Sequence, residues 1–149
     1  MSDPRQLVRA RDLFNAILGD AGAFEAALFS LDAREPAMGL KSLFHSRGGH
    51  CDDARVVLRA RRDFEHLVRQ AIARGGPAVF DVTTESRSKP LYCIVLPLQY
   101  RDSAQELVAV CIITDCADRS SRDPRAVGNR MTKIADAMGW RVHFSKKPA

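Results

Sequence analysis

The sequence predicts an α+β domain organised around a central antiparallel sheet. Two long apolar runs, Pro90–Tyr100 and Leu107–Cys116, are joined by the polar segment Arg101–Glu106, a pattern typical of a β-hairpin. Neither run alternates apolar with polar residues, so both faces of the hairpin are expected to be covered. Segments with a helical period lie near both ends of the chain. The hairpin is therefore expected in the middle of a sheet, with the helices packed around it.

Length and composition favour a single domain spanning residues 1–149. The chain is 46% hydrophobic and 28% charged, which is ordinary for a soluble globular protein. It has no run of the roughly 18–20 apolar residues that cross a bilayer. Its N-terminus has no apolar segment of the kind found in a secretory signal. A cytoplasmic protein without membrane association is expected.

The net charge of +5 is modest. A local concentration of arginines, which a nucleic-acid-binding face would require, is formed by Arg55, Arg59, Arg61, Arg62 and Arg69. A solvated helix face explains the same pattern and is favoured, because acidic residues are interspersed with the basic ones. Nucleic acid is therefore not expected as a partner.

Terminal helices are predicted over residues 1–20 and 123–139. The first has Asp3 as N-cap and Gly19 as its terminating residue, and the second begins at the Asp123-Pro124 pair and ends at Gly139. The apolar stripe of the first helix is formed by Leu7, Ala10, Phe14 and Ile17. This stripe is expected to pack on the sheet or, alternatively, to form a dimer seam.

Between these helices the sequence predicts two strands, a helix and a short strand. Ala26–Leu31 and residues 40–47 are the two strands, and the second is half polar, which favours a position toward the sheet edge. The helix over Asp63–Arg74 is stopped by Gly75-Gly76-Pro77, and the strand Ala78–Val82 follows it. After the last helix, residues 140–149 are expected to form a short strand and a tail.

The order of these elements resembles that of a GAF domain, a sensory relative of the PAS fold. The resemblance is carried by Phe64–Val82, by Tyr92–Tyr100 with its Leu96-Pro97-Leu98 step, and by Val108–Asp115. It covers nearly the whole chain and leaves out the C-terminal W-R-V-H-F. It implies an antiparallel sheet of five or six strands, with the terminal helices on one face and a small-molecule pocket on the other. It also implies a homodimer formed through the terminal helices.

The chain departs from the best-defined GAF subfamilies. It lacks the Asn-Lys-Phe-Asp-Glu type signature of cyclic-nucleotide-binding members. Cys93, Cys111 and Cys116 are not spaced like the cysteines of members that reduce free methionine sulfoxide. The Cys-His pair of bilin-binding members occurs here in reverse order, as His50-Cys51. The resemblance therefore identifies no cofactor and no particular ligand.

The implied pocket would be lined by the middle helix, by strand residues and by the loop after the short strand. Residues expected to contact a ligand are Phe44, Phe64, His66, Leu67, Asp81, Arg87, Tyr92 and Cys93. Asp81 has an equally favoured alternative, which is to bond backbone N–H groups within a turn. His66 is offset from Phe64 and Leu67, and its alternative is a boundary residue beside the apolar face of the helix.

The cysteines and histidines are interpreted without a disulfide or a metal. Cys93 and Cys111 are expected to be diagonal neighbours on the hairpin, about 7–8 Å apart, which is poor disulfide geometry. They are therefore predicted to be buried thiols. His45, His50 and Cys51 could ligate a metal, but a fourth ligand at metal-site spacing is missing.

These observations predict a stand-alone regulatory or sensory domain that binds a small molecule or responds to a redox cue. Its signal would pass through the terminal helices to a second protomer or to a separate signalling protein. One alternative is a ligand-free interaction or dimerisation module. Another is a thiol-based enzyme resembling the GAF-type methionine sulfoxide reductases. Because no nucleophile elbow, Walker loop or dinucleotide fingerprint occurs in the sequence, catalysis is not expected.

Overall fold

The computed structural model describes residues 4–21, 25–32, 40–47, 65–83, 90–100, 106–114 and 123–144. These residues form three helices and a six-stranded antiparallel sheet, which confirms the predicted α+β class. The helices are α1 (Pro4–Ala21), α2 (described over residues 65–74) and α3 (Pro124–Ala137). The strands are β1 (Glu25–Asp32), β2 (Lys41–Arg47), β3 (Ala78–Asp81), β4 (Tyr92–Tyr100), β5 (Glu106–Thr114) and β6 (Trp140–Val142).

The predicted hairpin, β4 with β5, lies inside the sheet, whose strand order is β2-β1-β5-β4-β3. Almost every residue of the two strands is buried, so both faces are covered as expected. Cys93 pairs with Ile113 and Val95 pairs with Cys111. Cys93 and Cys111 are therefore diagonal neighbours, and both are buried free thiols, as the sequence predicts.

Alternate residues of the strands enter two separate apolar clusters. Helices α1 and α3 pack on one face, which confirms that the terminal helices share a side of the sheet. The α1/α3 face contains Leu13, Phe14, Ile17, Leu28, Ile94, Leu96, Val110, Ile112, Met131 and Ala135, among others. Helix α2 covers the opposite face. The α2 face contains Ala27, Phe29, Val68, Ala71, Leu91, Cys93, Val95, Cys111 and Ile113, among others.

Helix α1 differs from its prediction at both ends. It continues to Ala21, so Gly19 does not terminate it. Gly19 is not among the positive-φ glycines of the described residues, and it therefore lacks the left-handed conformation of a C′ residue. At the other end, Leu7 is 40% exposed. The stripe that packs on the sheet begins only at Ala10.

Helix α3 begins and ends as predicted. The Asp123 carboxylate accepts a hydrogen bond from Arg125 N at 3.0 Å, and Pro124 takes the first helical position. Gly139 follows the helix with φ +89, a left-handed backbone that glycine adopts without a Cβ penalty. Arg130 joins α3 to the end of α1, because its Nε donates to the Asp20 carboxylate at 3.0 Å.

Strands β3 and β6 lie end to end along the outer side of β4. β3 pairs with Tyr92–Val95, and β6 pairs with Leu98–Tyr100. Between them, His143 N donates to Pro97 O at 2.9 Å, and Gly76 N donates to His143 O at 2.6 Å. The two short strands thus share one edge of the sheet.

Strand β2 forms the opposite edge, as its half-polar sequence predicts. A register shift lies between Leu28 and Phe29, which pair with Phe44 and Ser42 respectively. The intervening Leu43 is the extra residue of a β-bulge. As a result, Leu43 and Phe44 both pack against the α1/α3 face instead of alternating.

Candidate functional site

The predicted ligand-contacting residues that the structure describes do not lie together in one site. Phe44 lies on the α1/α3 face, where its ring stacks on Phe14 of α1 with centroids 5.9 Å apart. Tyr92 packs on the same face. Leu67 and Cys93 pack on the α2 face. Because successive residues of a strand point to opposite faces, the sheet separates these two pairs.

Two more predicted residues lie at the protein surface. His66 is exposed on α2, with its Nε2 2.8 Å from Gln70 Nε2. The Asp81 carboxylate accepts a hydrogen bond from Thr83 N at 2.9 Å, and hydrogen bonds from Thr83 lower the pKa of Asp81. Asp81 thus makes the turn bond that the sequence offers as its alternative role.

The remaining candidates from the sequence fall outside the described residues. These are the predicted contacts Phe64 and Arg87, and also His50, Cys51 and Cys116.

A cavity of about 520 Å³ lies at the sheet edge, between the end of α2, strand β3 and the first half of α3. We call it the edge groove. It is lined by Arg74, Gly75, Pro77, Ala78, Val79, Arg125, Gly128 and Asn129. Its size falls within the range of about 300–1,000 Å³ that is usual for small-molecule sites. None of the predicted contact residues that the structure describes lines it.

Glycines shape the edge groove on both sides. Gly75 (φ 72) and Gly76 (φ 85) end α2 and turn the chain into β3, a conformation that costs other residues strain. On the opposite wall, Gly128 presents no side chain, and a Cβ there would lie 3.6 Å from Ile94 Cγ2. A Cβ at this position would thus make an ordinary van der Waals contact with β4.

The charge of the edge groove comes from two arginines. Arg74 leaves the C-terminal turn of α2, and its Cζ lies 5.6 Å from the centroid of the Phe80 ring. Arg125 occupies the first turn of α3. The other lining residues that the structure describes carry no charge, and Asn129 adds a side-chain amide. The groove therefore combines positive charge, a hydrogen-bonding group and apolar wall residues.

The α2 face also contains a buried carboxylate that the sequence does not predict. Glu25 is fully buried at the start of β1, and its Oε1 contacts Nε2 of His45 on β2. Nothing in the local sequence distinguishes Glu25 from an exposed residue at a strand end. Among the described residues, no group of three or more histidine, cysteine or acidic side chains is placed to hold a metal.

The two described thiols are poorly suited to thiolate chemistry. Burial, reinforced by the nearby Glu25 carboxylate, raises the pKa of Cys93 to about 12. Burial likewise raises the pKa of Cys111 well above its ordinary value. Because the thiolate is the reactive form, neither group is activated at neutral pH.

Comparisons with known proteins find similarity of fold at low level. No family model matches the sequence, and no curated protein matches it. One similar solved structure is that of the gliding protein MglB from Thermus thermophilus, at 15% identity and a TM-score of 0.39, covering 89% of this chain and 90% of that chain. Another is an RNA-binding light-oxygen-voltage receptor, at 19% identity and a TM-score of 0.29, covering 76% of this chain and 35% of that chain. Similarities at this level assign neither a family nor a function.

In the described part of the chain, no helix is both long enough and apolar enough to cross a membrane.

Proposed function

We propose that this protein is a regulatory domain whose small-molecule ligand binds in the edge groove and acts on the terminal helices. The observation that carries the proposal is the composition of the groove walls. One wall belongs to β3 and the end of α2, and the other belongs to α3. A ligand that contacts both walls favours one position of α3 relative to the sheet, which is the differential binding that a population shift requires.

The contact between α3 and α1 provides the next step. Arg130 follows Asn129 of the groove directly in sequence, and it binds Asp20 through both the carboxylate and the backbone oxygen, at 3.0 Å and 3.1 Å. A shift of α3 therefore acts on the end of α1. This couples the edge groove to the surface formed by the two terminal helices.

The output of this coupling is proposed to be a protein contact made by α1. Leu7 is 40% exposed and Val8 is 46% exposed, so α1 presents apolar side chains away from the sheet. A second protomer or a separate signalling protein that covers them would sense the position of α1. The domain then works without a catalytic step.

A thermal-shift screen with a broad panel of metabolites tests the proposal. Asn129→Trp places a bulky side chain in the groove at an exposed helical position, and Lys133→Trp places the same side chain one turn further along α3, outside the groove. Compounds that bind the groove should stabilise the wild type and Lys133→Trp but not Asn129→Trp. If no compound stabilises the protein, or if stabilisation survives Asn129→Trp, the proposal is wrong.

Hydrogen exchange then tests the coupling. A groove-binding compound should change the exchange of α1 amides in the wild type, and much less so in Arg130→Gln. Because Arg130 and Asp20 are partly exposed, this substitution should cost at most about 1 kcal/mol of stability. If a groove-binding compound leaves the exchange of α1 amides unchanged in the wild type, ligand binding is not coupled to α1 and the proposed signalling is wrong.

A second candidate is an interaction or dimerisation module without a ligand, and the exposed apolar pair on α1 favours it. In that case, Val8→Asp should abolish self-association measured by sedimentation velocity, while Asn129→Trp should leave it unchanged. A protein that is monomeric at all accessible concentrations would argue against the homodimer, and a pull-down would then seek a different partner.

A further inference from the structure

We infer that the ligand of the edge groove is a small phosphate monoester with a compact apolar body. This inference rests on the proposed function, since it names the chemical class that the same groove would bind. It follows from three features of the groove: the sign of its charge, the positioning of its arginines and the apolar character of its remaining walls.

The charge of the groove is one-sided. Among its described lining residues, Arg74 and Arg125 each carry a guanidinium, and none is acidic. In the described part of the chain, neither arginine has a carboxylate partner within salt-bridge distance. The acidic residue nearest to Arg125 in sequence is Asp123, whose carboxylate accepts a hydrogen bond from the backbone N–H of Arg125. The guanidinium groups are thus available to an anion from solution.

The position of Arg74 is partly fixed before a ligand arrives. Its guanidinium lies against the Phe80 ring, a cation–π contact that limits its rotamers. A restrained arginine loses less side-chain entropy on binding than a free one does. Guanidinium groups match the geometry of phosphate oxygens and bind them in a bidentate way. Two such groups in one groove suit a dianion better than a carboxylate.

The rest of the groove suits an organic body. Pro77, Ala78 and Val79 provide one apolar wall, and Gly128 provides the other together with the amide of Asn129. A cavity of about 520 Å³ exceeds what a bare phosphate ion fills. Most of its volume would be occupied by the group esterified to the phosphate.

Isothermal titration calorimetry with phenyl phosphate, inorganic phosphate and benzyl alcohol tests this inference. Phenyl phosphate carries the dianion with an apolar body, and the other two probes each carry one half. We expect phenyl phosphate to bind most tightly. Arg74→Gln and Arg125→Gln should each weaken its binding about tenfold, and the double variant should weaken it about a hundredfold. Arg69→Gln, on the exposed surface of α2 outside the groove, is the matched control and should bind normally.

The possible results separate this inference from the function on which it rests. If Arg69→Gln weakens binding as much as Arg125→Gln does, the attraction belongs to the net positive charge and the inference is wrong. If phenyl phosphate fails to bind while uncharged metabolites bind the groove and alter α1, the ligand class is wrong and the proposed function stands. If phenyl phosphate binds through both arginines while α1 exchange stays unchanged, the ligand class stands and the proposed signalling is wrong.

Discussion

Replacing Gly128 by alanine should stabilise the protein, although this glycine is buried where α3 packs on the sheet. Glycine in a helix interior is less favourable than alanine by about 0.8–1.0 kcal/mol, and Gly128 lies within α3. The added Cβ would lie 3.6 Å from Ile94 Cγ2, which is an ordinary van der Waals contact. The buried methyl group adds about 0.8 kcal/mol of hydrophobic stabilisation. We therefore expect the free energy of unfolding to rise by about 1–2 kcal/mol.

Urea denaturation followed by circular dichroism would measure this change, and calorimetry should show Tm higher by about 3–6 °C for a chain of this size. Gly19→Ala is the control. Gly19 is helical and exposed, and an added Cβ there meets nothing within 4 Å. Gly19→Ala should therefore gain only the part of the stabilisation that comes from helix propensity. If Gly128→Ala destabilises the protein while Gly19→Ala stabilises it, the added Cβ lies closer to Ile94 than 3.6 Å. The expectation of an ordinary van der Waals contact is then refuted.

Three further predictions test other parts of the fold. Gly139→Ala should destabilise the protein by at least about 1–2 kcal/mol, because φ is +89 and the new Cβ would lie 3.2 Å from the Tyr100 ring; an unchanged urea midpoint would contradict this. Asp123→Ala should cost about 1 kcal/mol by removing the N-cap bond, whereas Asp123→Asn should keep most of it. Because the pKa of Cys93 is raised, the folded protein holds this thiol proton more tightly than the unfolded chain does. The stability that this thiol contributes is therefore fully present below the ordinary pKa of 9.0, and it is lost as the pH rises toward about 12. In that window, the free energy of unfolding should fall by about 1.4 kcal/mol per pH unit for this thiol, and an equally steep fall in Cys93→Ala would refute the assignment.

Patterns that depend on neighbouring residues were predictable from the sequence. The unbroken apolar character of β4 and β5 requires cover on both faces, and the two clusters provide it. The length of the polar connection fixes the hairpin register closely enough to place Cys93 diagonal to Cys111. The Asp123-Pro124 pair gives the start of α3 for the same local reason, since an N-cap bond spans only two residues.

The described contact residues lie on different faces for a reason that the sequence contains. Tyr92 and Cys93 are adjacent in a strand, so their side chains point to opposite faces, and a pocket on one face of the sheet cannot hold both. The bulge at Leu43 is different. It comes from the pairing of β2 with β1, and no local pattern in the half-polar strand marks the extra residue. Glu25 is similar, because its burial depends on elements distant in sequence.

The edge groove lies beside a junction of two short strands, and this junction falls opposite Pro97 of β4. The nitrogen and the carbonyl of one residue in an antiparallel strand point to the same side, and the Pro97 carbonyl accepts from His143 on the outer side of β4. The proline nitrogen therefore faces the same edge, where it has no hydrogen to donate to a continuous partner strand. The outer side of β4 is instead occupied by the two short strands β6 and β3. Where they meet, Gly76 N donates a hydrogen bond to His143 O. β3 starts only after this junction, and the chain enters it from α2 through the left-handed Gly75 and Gly76. This entering segment and the start of β3 lie across the groove from α3. Proline in an interior strand is ordinarily unfavourable, and here its missing donor falls at the junction between β6 and β3.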